Sequence, residues 1–352
     1  MNILLKPDPT PLYLRNQVFE IDNGDNVFFG FKKKLESLGI TINTLDLGSK
    51  NKVDWIIFCD IPLPWHVTYI IKLLLNRNKS ILFCFEPPVI SPFGHRKFFH
   101  KFFYLVYSWN DRLIDNKKVR KFYLPVLNTN LDSKEVPYKK KKLICIVNSN
   151  ISTPYLLVLL SPFKKVLYSE RIKAINFFER EIPQEFSLYG RGWNAPMKFS
   201  IKEKLFGFKT YTTFKGAIPR NLNSKLEVLS KYKFNLCFEN CIADGYISEK
   251  IIDCFKAHTV PIYLGTPNIE KYFPKNCFID FREFNDYPSL LKFLMEMDEK
   301  TYNKYIENGK KLLKSKKFLD IYLENGFLRT FLEAISFNKK STRKGDLHEL
   351  QI

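Results

Sequence analysis

Short apolar runs of strand length alternate with amphipathic segments of helix length, and this alternation constrains the fold of the chain more than any other feature. In the first third, Ile3–Lys6, Trp55–Cys59 and Ser80–Phe85 have the aliphatic and aromatic composition of buried strands. Between them, Val27–Leu38 and His66–Leu75 repeat apolar residues at helical spacing. This order is typical of a parallel sheet covered by helices on both faces. We therefore predict the α/β fold class with doubly wound sheets.

A second series of strands and helices begins after a polar segment at Ser133–Tyr138, which contains a proline and precedes four lysines. We expect a linker there, an N-terminal domain at 1–138, a C-terminal domain with a helical end at 139–337, and a loose basic tail at 338–352. Ligands of such sheets bind beyond the carboxyl ends of the strands. In the second domain this rule points to the loop between the strand Phe234–Phe238 and a helix that begins near Glu249.

The formal net charge of the chain is +20, from 56 Lys and Arg against 36 Asp and Glu. Such a balance favours polyanionic partners, which are nucleic acids, anionic membranes or phosphorylated small molecules, although surface solubility explains it equally well. RNA binding requires aromatic and arginine residues arranged in a recognisable module. The sequence contains no such module, so we expect no nucleic-acid partner.

The sequence offers no sign of export or of membrane insertion. No run approaches the ~20 apolar residues that span a bilayer, and the N-terminus lacks the features of a signal peptide. The seven cysteines are odd in number, and several, such as Cys59 and Cys237, lie in apolar strands, where cysteine behaves as a small hydrophobic residue. We therefore expect a reducing, cytoplasmic location.

Several cofactor motifs fail on their context. Gly190–Ala195 has dinucleotide-binding spacing, but Pro196 follows at once and no helical pattern begins. A phosphate-binding P-loop is absent, no two histidines are three or four apart as in a helical zinc site, and Asp-x-Asp does not occur. We therefore expect neither a nicotinamide cofactor nor a metal held by paired aspartates.

One dense segment remains, in which a buried strand ends at Glu239 and a helix restarts near Ser248. Serine suits the N-cap, and a helix N-terminus is a ready anion site. Lys250, in the first turn, opposes the helix dipole unless an anion sits there. The segment therefore favours an anion-binding site, although an ordinary strand, loop and helix with a solvated lysine remains the alternative.

The segments Tyr232–Asn240, Gly245–Asp253 and Thr259–Gly265 resemble the donor-binding motif of glycosyltransferase family 10, the α-1,3/4-fucosyltransferases. The resemblance is strong over residues 215–281, weaker back to Leu143 and faint in the first domain. It implies the GT-B architecture of two Rossmann-like domains facing each other across a cleft. It also implies an inverting transfer of L-fucose from GDP-fucose to an oligosaccharide or lipid-linked glycan acceptor, such as a GlcNAc-type residue of lipopolysaccharide or a related surface glycan.

The resemblance also implies roles in donor binding. Lys250 contacts the diphosphate, Glu249 contacts the fucose ring or steadies its positive charge, and Arg171 supplies a second cation that Lys173 or Arg191 could replace. The other donor-binding candidates are Asn240, Tyr246, Lys215 and Lys225.

For the catalytic base we predict Glu86, which closes an apolar strand of the first domain, where burial raises the pKa of a carboxylate. The base in the family usually has Gly before it and Asn after it, whereas here the neighbours are Phe85 and Pro87. A loop carboxylate held by an arginine is the alternative role for Glu86, and Asp60 is the reserve base. Because cationic side chains and a helix dipole can neutralise a diphosphate, we expect no obligatory cofactor, with Mn²⁺ or Mg²⁺ stimulatory at most.

Three alternatives stay open at this point. One is an enzyme of the same fold with another GDP-sugar, such as GDP-mannose; the others are a basic nucleic-acid-binding protein and a non-catalytic relative. We also expect the basic tail and the surface lysines to support peripheral contact with the anionic inner membrane.

Overall fold

The computed structural model describes residues 1–7, 11–22, 26–126, 134–150, 155–162, 165–196, 205, 207–219 and 222–337. Its first sheet is formed by β1 (Asn2–Lys6), β2 (Thr41–Thr44), β3 (Trp55–Cys59), β4 (Ser80–Cys84), β5 (Leu105–Ser108) and β6 (Val119–Lys121). The strands are parallel and lie in the order β2-β1-β3-β4-β5-β6. The chain therefore reverses its direction of growth between β1 and β3.

The second sheet is also parallel and lies in the order β11-β10-β9-β7-β8. Its strands are β7 (Lys142–Val147), β8 (Phe186–Tyr189), β9 (Tyr232–Phe238), β10 (Val260–Leu264) and β11 (Ile279–Asp280). Here the reversal falls between β7 and β9. Ligands of such sheets bind at these reversal points, beyond the carboxyl ends of the strands. The predicted doubly wound α/β class is confirmed.

The helices cover both faces of each sheet. They are α1 (Phe31–Ser37), α2 (Val67–Leu75), α3 (Lys97–His100), α4 (Tyr155–Leu160), α5 (Tyr168–Glu181), α6 (Leu222–Ser230), α7 (Glu249–Lys256), α8 (Tyr287–Glu296), α9 (Glu299–Lys314), α10 (Lys316–Tyr322) and α11 (Glu324–Ser336). In the second domain, α5 and α8 pack on one face of the sheet, and α7 and α10 pack on the other. The helical end predicted for the C-terminal domain is present, and it begins with α8.

The last helix crosses back to the first domain. Phe331 of α11 lies 5.0 Å from Phe31 of α1 between ring centroids, and the indole N–H of Trp55 in β3 donates to the carbonyl oxygen of Ile335 at 2.9 Å. The assignment of all residues up to 337 to the second domain is therefore corrected. The apolar side of α11 completes a core that α1 leaves open on the first sheet.

The first helix begins later than its apolar spacing predicts. Gly30 has a left-handed backbone conformation, with φ of 69°, and the side chain of Asn26 accepts the N–H of Phe28. These features form a turn at 27–30, so α1 starts at Phe31.

Among the described residues, no helix is both long enough and apolar enough to cross a bilayer. All seven cysteines fall within the described ranges, where they are buried and free of disulfide bonds. The predicted tail at 338–352, and Ser133 of the predicted linker, lie outside the described residues.

Candidate functional site

A cavity of about 580 Å³ lies between the two domains, at the carboxyl ends of their strands. We call it the interdomain cavity. The predicted site residues in its wall are Glu86 and the reserve base Asp60 from the first domain, and Asn240, Tyr246, Glu249 and Lys250 from the second. The two domains therefore place a candidate base and a candidate diphosphate site in the walls of the same cavity.

Glu239, the residue directly after β9, organises the second-domain wall. It is fully buried. Its carboxylate accepts the backbone N–H of Ser248 at 2.9 Å, the hydroxyl of Ser248 at 2.8 Å and the ammonium group of Lys250 at 3.3 Å. The Ser248 hydroxyl also accepts the N–H of Lys250, as the predicted N-cap of α7. Glu239 thus fixes the start of α7 to the end of β9.

These contacts change the interpretation of Lys250. Its ammonium group also lies 3.9 Å from a carboxylate oxygen of Glu249. Burial lowers the pKa of Lys250, but the carboxylates of Glu249 and Glu239 outweigh that effect and raise it. The sequence indicated a lysine in conflict with the helix dipole unless a ligand supplied an anion. That inference is corrected, because the buried carboxylate of Glu239 supplies the anion from within the protein.

Glu249 lies between two lysines in the wall of the interdomain cavity. Burial raises its pKa, but the ammonium groups of Lys250 and Lys225 outweigh burial, and the pKa falls to about 2. Lys225 also forms an ion pair with Asp253, at 2.6 Å. Lys225 therefore binds the carboxylates of α7, and within the described structure it is not part of the cavity wall. Lys215 is an exposed residue whose backbone N–H pairs with Leu188.

Arg171, in the first turn of α5, is buried beneath the cavity wall. One guanidinium nitrogen donates to the carbonyl oxygen of Phe238 at 2.7 Å and to the side-chain oxygen of Asn240 at 2.9 Å. The side-chain amide of Asn240 in turn donates to the hydroxyl of Tyr246 at 3.5 Å. Burial lowers the pKa of Arg171. Arg171 is therefore not a surface residue, and its contacts support the residues that face the cavity.

The first-domain wall places two carboxylates side by side. The carboxylate of Asp60 accepts the backbone N–H of Phe85 at 3.2 Å and that of Glu86 at 3.1 Å. Burial and the neighbouring charge of Glu86 raise the pKa of Asp60 well above its usual range, an effect that Lys6 partly offsets. Asp60 itself has a left-handed backbone, with φ of 60°, a conformation that aspartate adopts more readily than most residues with a β-carbon. Asp60 therefore fixes the backbone that carries Glu86.

A row of three tilted rings connects the Glu86 loop to the second domain. The ring nitrogen Nε2 of His95 lies 2.9 Å from the carbonyl oxygen of Glu86. The ring of Trp109 lies 4.8 Å from the rings of both His95 and Tyr246, between centroids. Burial lowers the pKa of His95 to about 4, so this histidine is neutral at neutral pH. The loop that contains Glu86 and the loop that contains Tyr246 are therefore linked through the indole ring of Trp109.

The same approach of the domains requires a glycine at position 245. Gly245 has φ of 82°, and a β-carbon there would lie 2.4 Å from the carbonyl oxygen of Trp109. Beside it, Asp111 accepts hydrogen bonds from Tyr272 at 2.6 Å, Asn268 at 2.7 Å and Lys121 at 2.7 Å. This polar network fastens the loop that contains Tyr246 to the first domain.

A family model described as glycosyltransferase family 10 (fucosyltransferase), C-terminal part, matches residues 138–321, slightly more than half of the chain. The chain belongs to glycosyltransferase family 10. The matched range contains Arg171 and the whole second-domain wall of the interdomain cavity.

Curated relatives of this family 10 chain match over shorter ranges. It is 38% identical over 107 residues to the α-(1,3)-fucosyltransferase FucT of Helicobacter pylori. This match covers 29% of the chain and 22% of that protein. It is 32% identical over 167 residues to the 4-galactosyl-N-acetylglucosaminide 3-α-L-fucosyltransferase 9 of Bos taurus. This match covers 47% of the chain and 35% of that protein. The chain thus spans well under half the length of these relatives.

Solved structures match the family 10 chain over nearly its full length. An α1,3-fucosyltransferase crystallised with GDP-fucose has a TM-score of 0.54 at 16% identity, over 99% of this chain and 93% of that one. A second α1,3-fucosyltransferase structure has a TM-score of 0.57 at 18% identity, over 96% and 90%. An α-glucosyltransferase in complex with UDP and DNA reaches 0.53 at 13% identity, over 95% and 99%. This likeness shows the predicted GT-B fold. Because the matching structures were solved with different nucleotides, GDP-fucose in one and UDP in another, the fold alone does not identify the donor.

Sequence reasoning did not assign site roles to Glu239, His95 or Trp109 in this family 10 chain. The position of Glu239 could have indicated a role in the site. It comes directly after a buried strand, at the start of the loop that runs through Ala243 and Asp244 to the helix. His95 and Trp109 gave no such signal, because their contacts join segments far apart in the sequence. The dinucleotide-type spacing at 190–195 forms a turn rather than a helix start, which agrees with its rejection. Within the described residues, no group of three His, Cys, Asp or Glu side chains could hold a metal ion.

Proposed function

We propose that the chain transfers L-fucose from GDP-fucose to a saccharide hydroxyl, with inversion at the anomeric carbon. Membership of the fucosyltransferase family and the opposed walls of the interdomain cavity support this proposal. The observation that carries it is the presence of Glu86 on one wall and of Glu249 and Lys250 on the other, at the carboxyl ends of facing sheets.

In this proposal the diphosphate of the donor binds at the first turn of α7. Lys250 moves its ammonium group from Glu239 to a phosphate oxygen, while Ser248 keeps Glu239 satisfied. The free N–H groups of the helix N-terminus add donors to the same phosphates. Arg171 acts from below by holding Asn240, and Tyr246 and Asn240 offer hydrogen bonds to the ribose, the phosphate or the sugar. Lys215 and Lys225 remain weaker candidates.

In the chemical step Glu86 accepts the proton of the acceptor hydroxyl. The acceptor oxygen attacks the anomeric carbon as the bond to the phosphate oxygen breaks, so a β-linked donor gives an α-fucoside and GDP leaves with the bonding electrons. The ionised carboxylate of Glu249 stabilises the positive charge that develops on the fucose ring. Asp60 is the reserve base, although its hydrogen bonds to the Glu86 backbone favour a positioning role.

For the acceptor we propose the 3-hydroxyl of a GlcNAc-type residue in lipopolysaccharide or a related surface glycan, reached from the cytoplasm. The names of the Helicobacter pylori and Bos taurus relatives, which describe α-1,3-fucosyl transfer by those proteins, support the linkage. An array of glycans incubated with GDP-fucose tests the linkage and the acceptor together.

The decisive experiment is a transfer assay that compares GDP-fucose with GDP-mannose. We expect GDP-fucose to be hydrolysed slowly without acceptor and transferred rapidly with it, and GDP-mannose to be a poor donor. Preference for GDP-mannose would make the chain a transferase for another GDP-sugar, and no turnover of either donor would contradict the proposal.

We also propose that the reaction needs no obligatory metal, because lysine side chains and the α7 N-terminus can neutralise the leaving group. Activity that survives EDTA, with Mn²⁺ or Mg²⁺ only stimulatory, is the expected result. Complete loss in EDTA, restored by Mn²⁺, would contradict it.

A further inference from the structure

Helix α2 of the first domain presents a continuous apolar row to solvent. Leu75 is 79% exposed, Val67 57%, and Ile71 and Leu74 50% each. Their spacing of three and four residues places them on one side of the helix. Few soluble surfaces expose so many large aliphatic residues together. The row is therefore a candidate for a partner surface.

The other side of α2 is anchored, so the exposed row is a fixed feature of the fold. Leu73 is buried in the core of the first sheet, and the ammonium group of Lys72 donates to the carbonyl oxygen of Leu45 at 2.9 Å. That contact brings the turn after β2, with the exposed Leu47, against the helix, and the exposed Trp65 precedes it. We call this set the α2 surface; it consists of Leu47, Trp65, Val67, Ile71, Leu74 and Leu75.

Basic residues lie beside the α2 surface, at the C-terminal end of the helix. Arg77 and Lys79 follow the helix, and the ammonium group of Lys79 donates to the carbonyl oxygen of Val53 at 3.3 Å. This contact brings the turn next to the loop that contains the exposed residues Lys50 and Lys52. Asp46 and Asp54 are the acidic residues of the same segments. An apolar row with a cationic rim is complementary to an anionic lipid surface.

The loop that leads into α2 also borders the interdomain cavity. Ile61, Leu63 and His66, between β3 and the helix, line the cavity on the first-domain side. A molecule that binds the α2 surface therefore lies close to the first-domain wall of the cavity.

We propose that the α2 surface docks this protein on an anionic bilayer, with the helix lying in the lipid interface and the cavity entrance facing the headgroups. For its use in catalysis this inference rests on the proposed function, because a lipid-linked acceptor would then reach Glu86 from the membrane plane. A second copy of the chain fits the surface less well. A helix of nine residues is roughly 14 Å long, a stable dimer buries about 800 Å² on each partner, and the basic rims of two copies repel each other.

The test is flotation of the full chain with vesicles of phosphatidylcholine, with and without phosphatidylglycerol. The variant is Ile71→Ser/Leu75→Ser, and the matched control is Phe293→Ser/Met295→Ser, which removes two exposed apolar residues from α8 in the second domain. We expect the wild type to float with the anionic vesicles, the α2 variant to bind them about tenfold more weakly or worse, and the control to stay within about twofold. A chain truncated after Phe337 should keep most of its binding.

Equal binding by the α2 variant and the wild type, no flotation of the wild type, or loss of binding by the truncation alone would overturn the inference. So would a concentration-dependent dimer in sedimentation velocity that the α2 variant abolishes. Fucose transfer to a soluble acceptor is measured on the same samples. We expect the same rate in the α2 variant as in the wild type, and this result would show that the variant is folded. Flotation without fucose transfer by the wild type would reject the proposed function and leave the docking surface intact.

Discussion

The carboxyl ends of β4 and β9 each lead into a glutamate, yet the two glutamates experience opposite surroundings. Glu239, after β9, accepts hydrogen bonds from Ser248 and forms an ion pair with Lys250. Glu86, after β4, lies beside a second carboxylate, that of Asp60. The end of a strand in a parallel sheet therefore fixes the position of a carboxylate. The charged groups that neighbouring segments bring to it, Lys250 at Glu239 and Asp60 at Glu86, make the surroundings of the two carboxylates different. Glu239 holds the start of α7 in place, whereas we propose that Glu86 accepts a proton.

The largest expected effect separates these two roles. Glu86→Gln keeps the shape of the side chain and removes its basicity, so we expect transfer to fall by roughly 10³-fold while the affinity for GDP-fucose stays within about threefold. Asp60→Asn, which can still accept the N–H of Glu86, should lose about tenfold. Measurement of kcat and donor affinity checks both. Near wild-type transfer by Glu86→Gln, with a larger loss in Asp60→Asn, would move the base to Asp60.

A second prediction concerns how closely the two strand ends are held together. Gly245→Ala adds a β-carbon against the carbonyl oxygen of Trp109, so we expect a loss of about 3 kcal/mol in the free energy of unfolding. Gly39 has a similar backbone, with φ of 72°, and open space around it. Gly39→Ala should therefore cost only about 1 kcal/mol. Urea titrations of both variants measure the difference, and equal losses would mean that the domains do not touch at Gly245.

The row of rings between the two strand ends predicts a pH effect. His95 has its pKa lowered to about 4 by burial, against 6.5 in an unfolded chain, with His100 contributing in the same direction. Between these values the unfolded state binds a proton that the folded state does not, so stability is lost as the pH falls from 6.5 to about 4, by on the order of 3 kcal/mol. His95→Gln should remove this part of the acid sensitivity. Unfolding curves of both proteins across this range check it, and parallel curves would contradict it.

The smallest effect comes from Glu249. Its pKa of about 2 lies below the ordinary value of 4.5, so its contribution to stability is present above 4.5 and is lost as the pH falls towards 2. Because the side chain is 37% exposed, solvent screening reduces this contribution to below about 1 kcal/mol. Comparison of wild type and Glu249→Gln near pH 5 and near pH 3 measures it. A larger acid loss in the variant than in the wild type would have the wrong sign.

The sequence predicted most of what local pattern controls. The strands that end at Cys59 and Phe238, the N-cap at Ser248 and the strand-end position of Glu86 follow from periodicity, capping and the geometry of parallel sheets. The return of α11 to the first sheet could not be predicted, because its apolar side fits either domain until the core around Phe31 is assembled. The buried roles of Glu239 and Arg171 were missed for a related reason: a charged residue near a ligand site is expected to face the ligand, and here both face the protein.

The central claim is that the cavity wall after β9, which contains Lys250, binds the diphosphate. The wall after β4, which contains Glu86, does not. Calorimetric titration with GDP tests it on the wild type, Lys250→Met, Glu86→Gln and Lys292→Met, the last of which removes a mostly exposed lysine of α8. We expect Lys250→Met to bind GDP about tenfold to a hundredfold more weakly, and the other two variants to bind it as the wild type does. GDP affinity unchanged in a folded Lys250→Met protein would contradict the account.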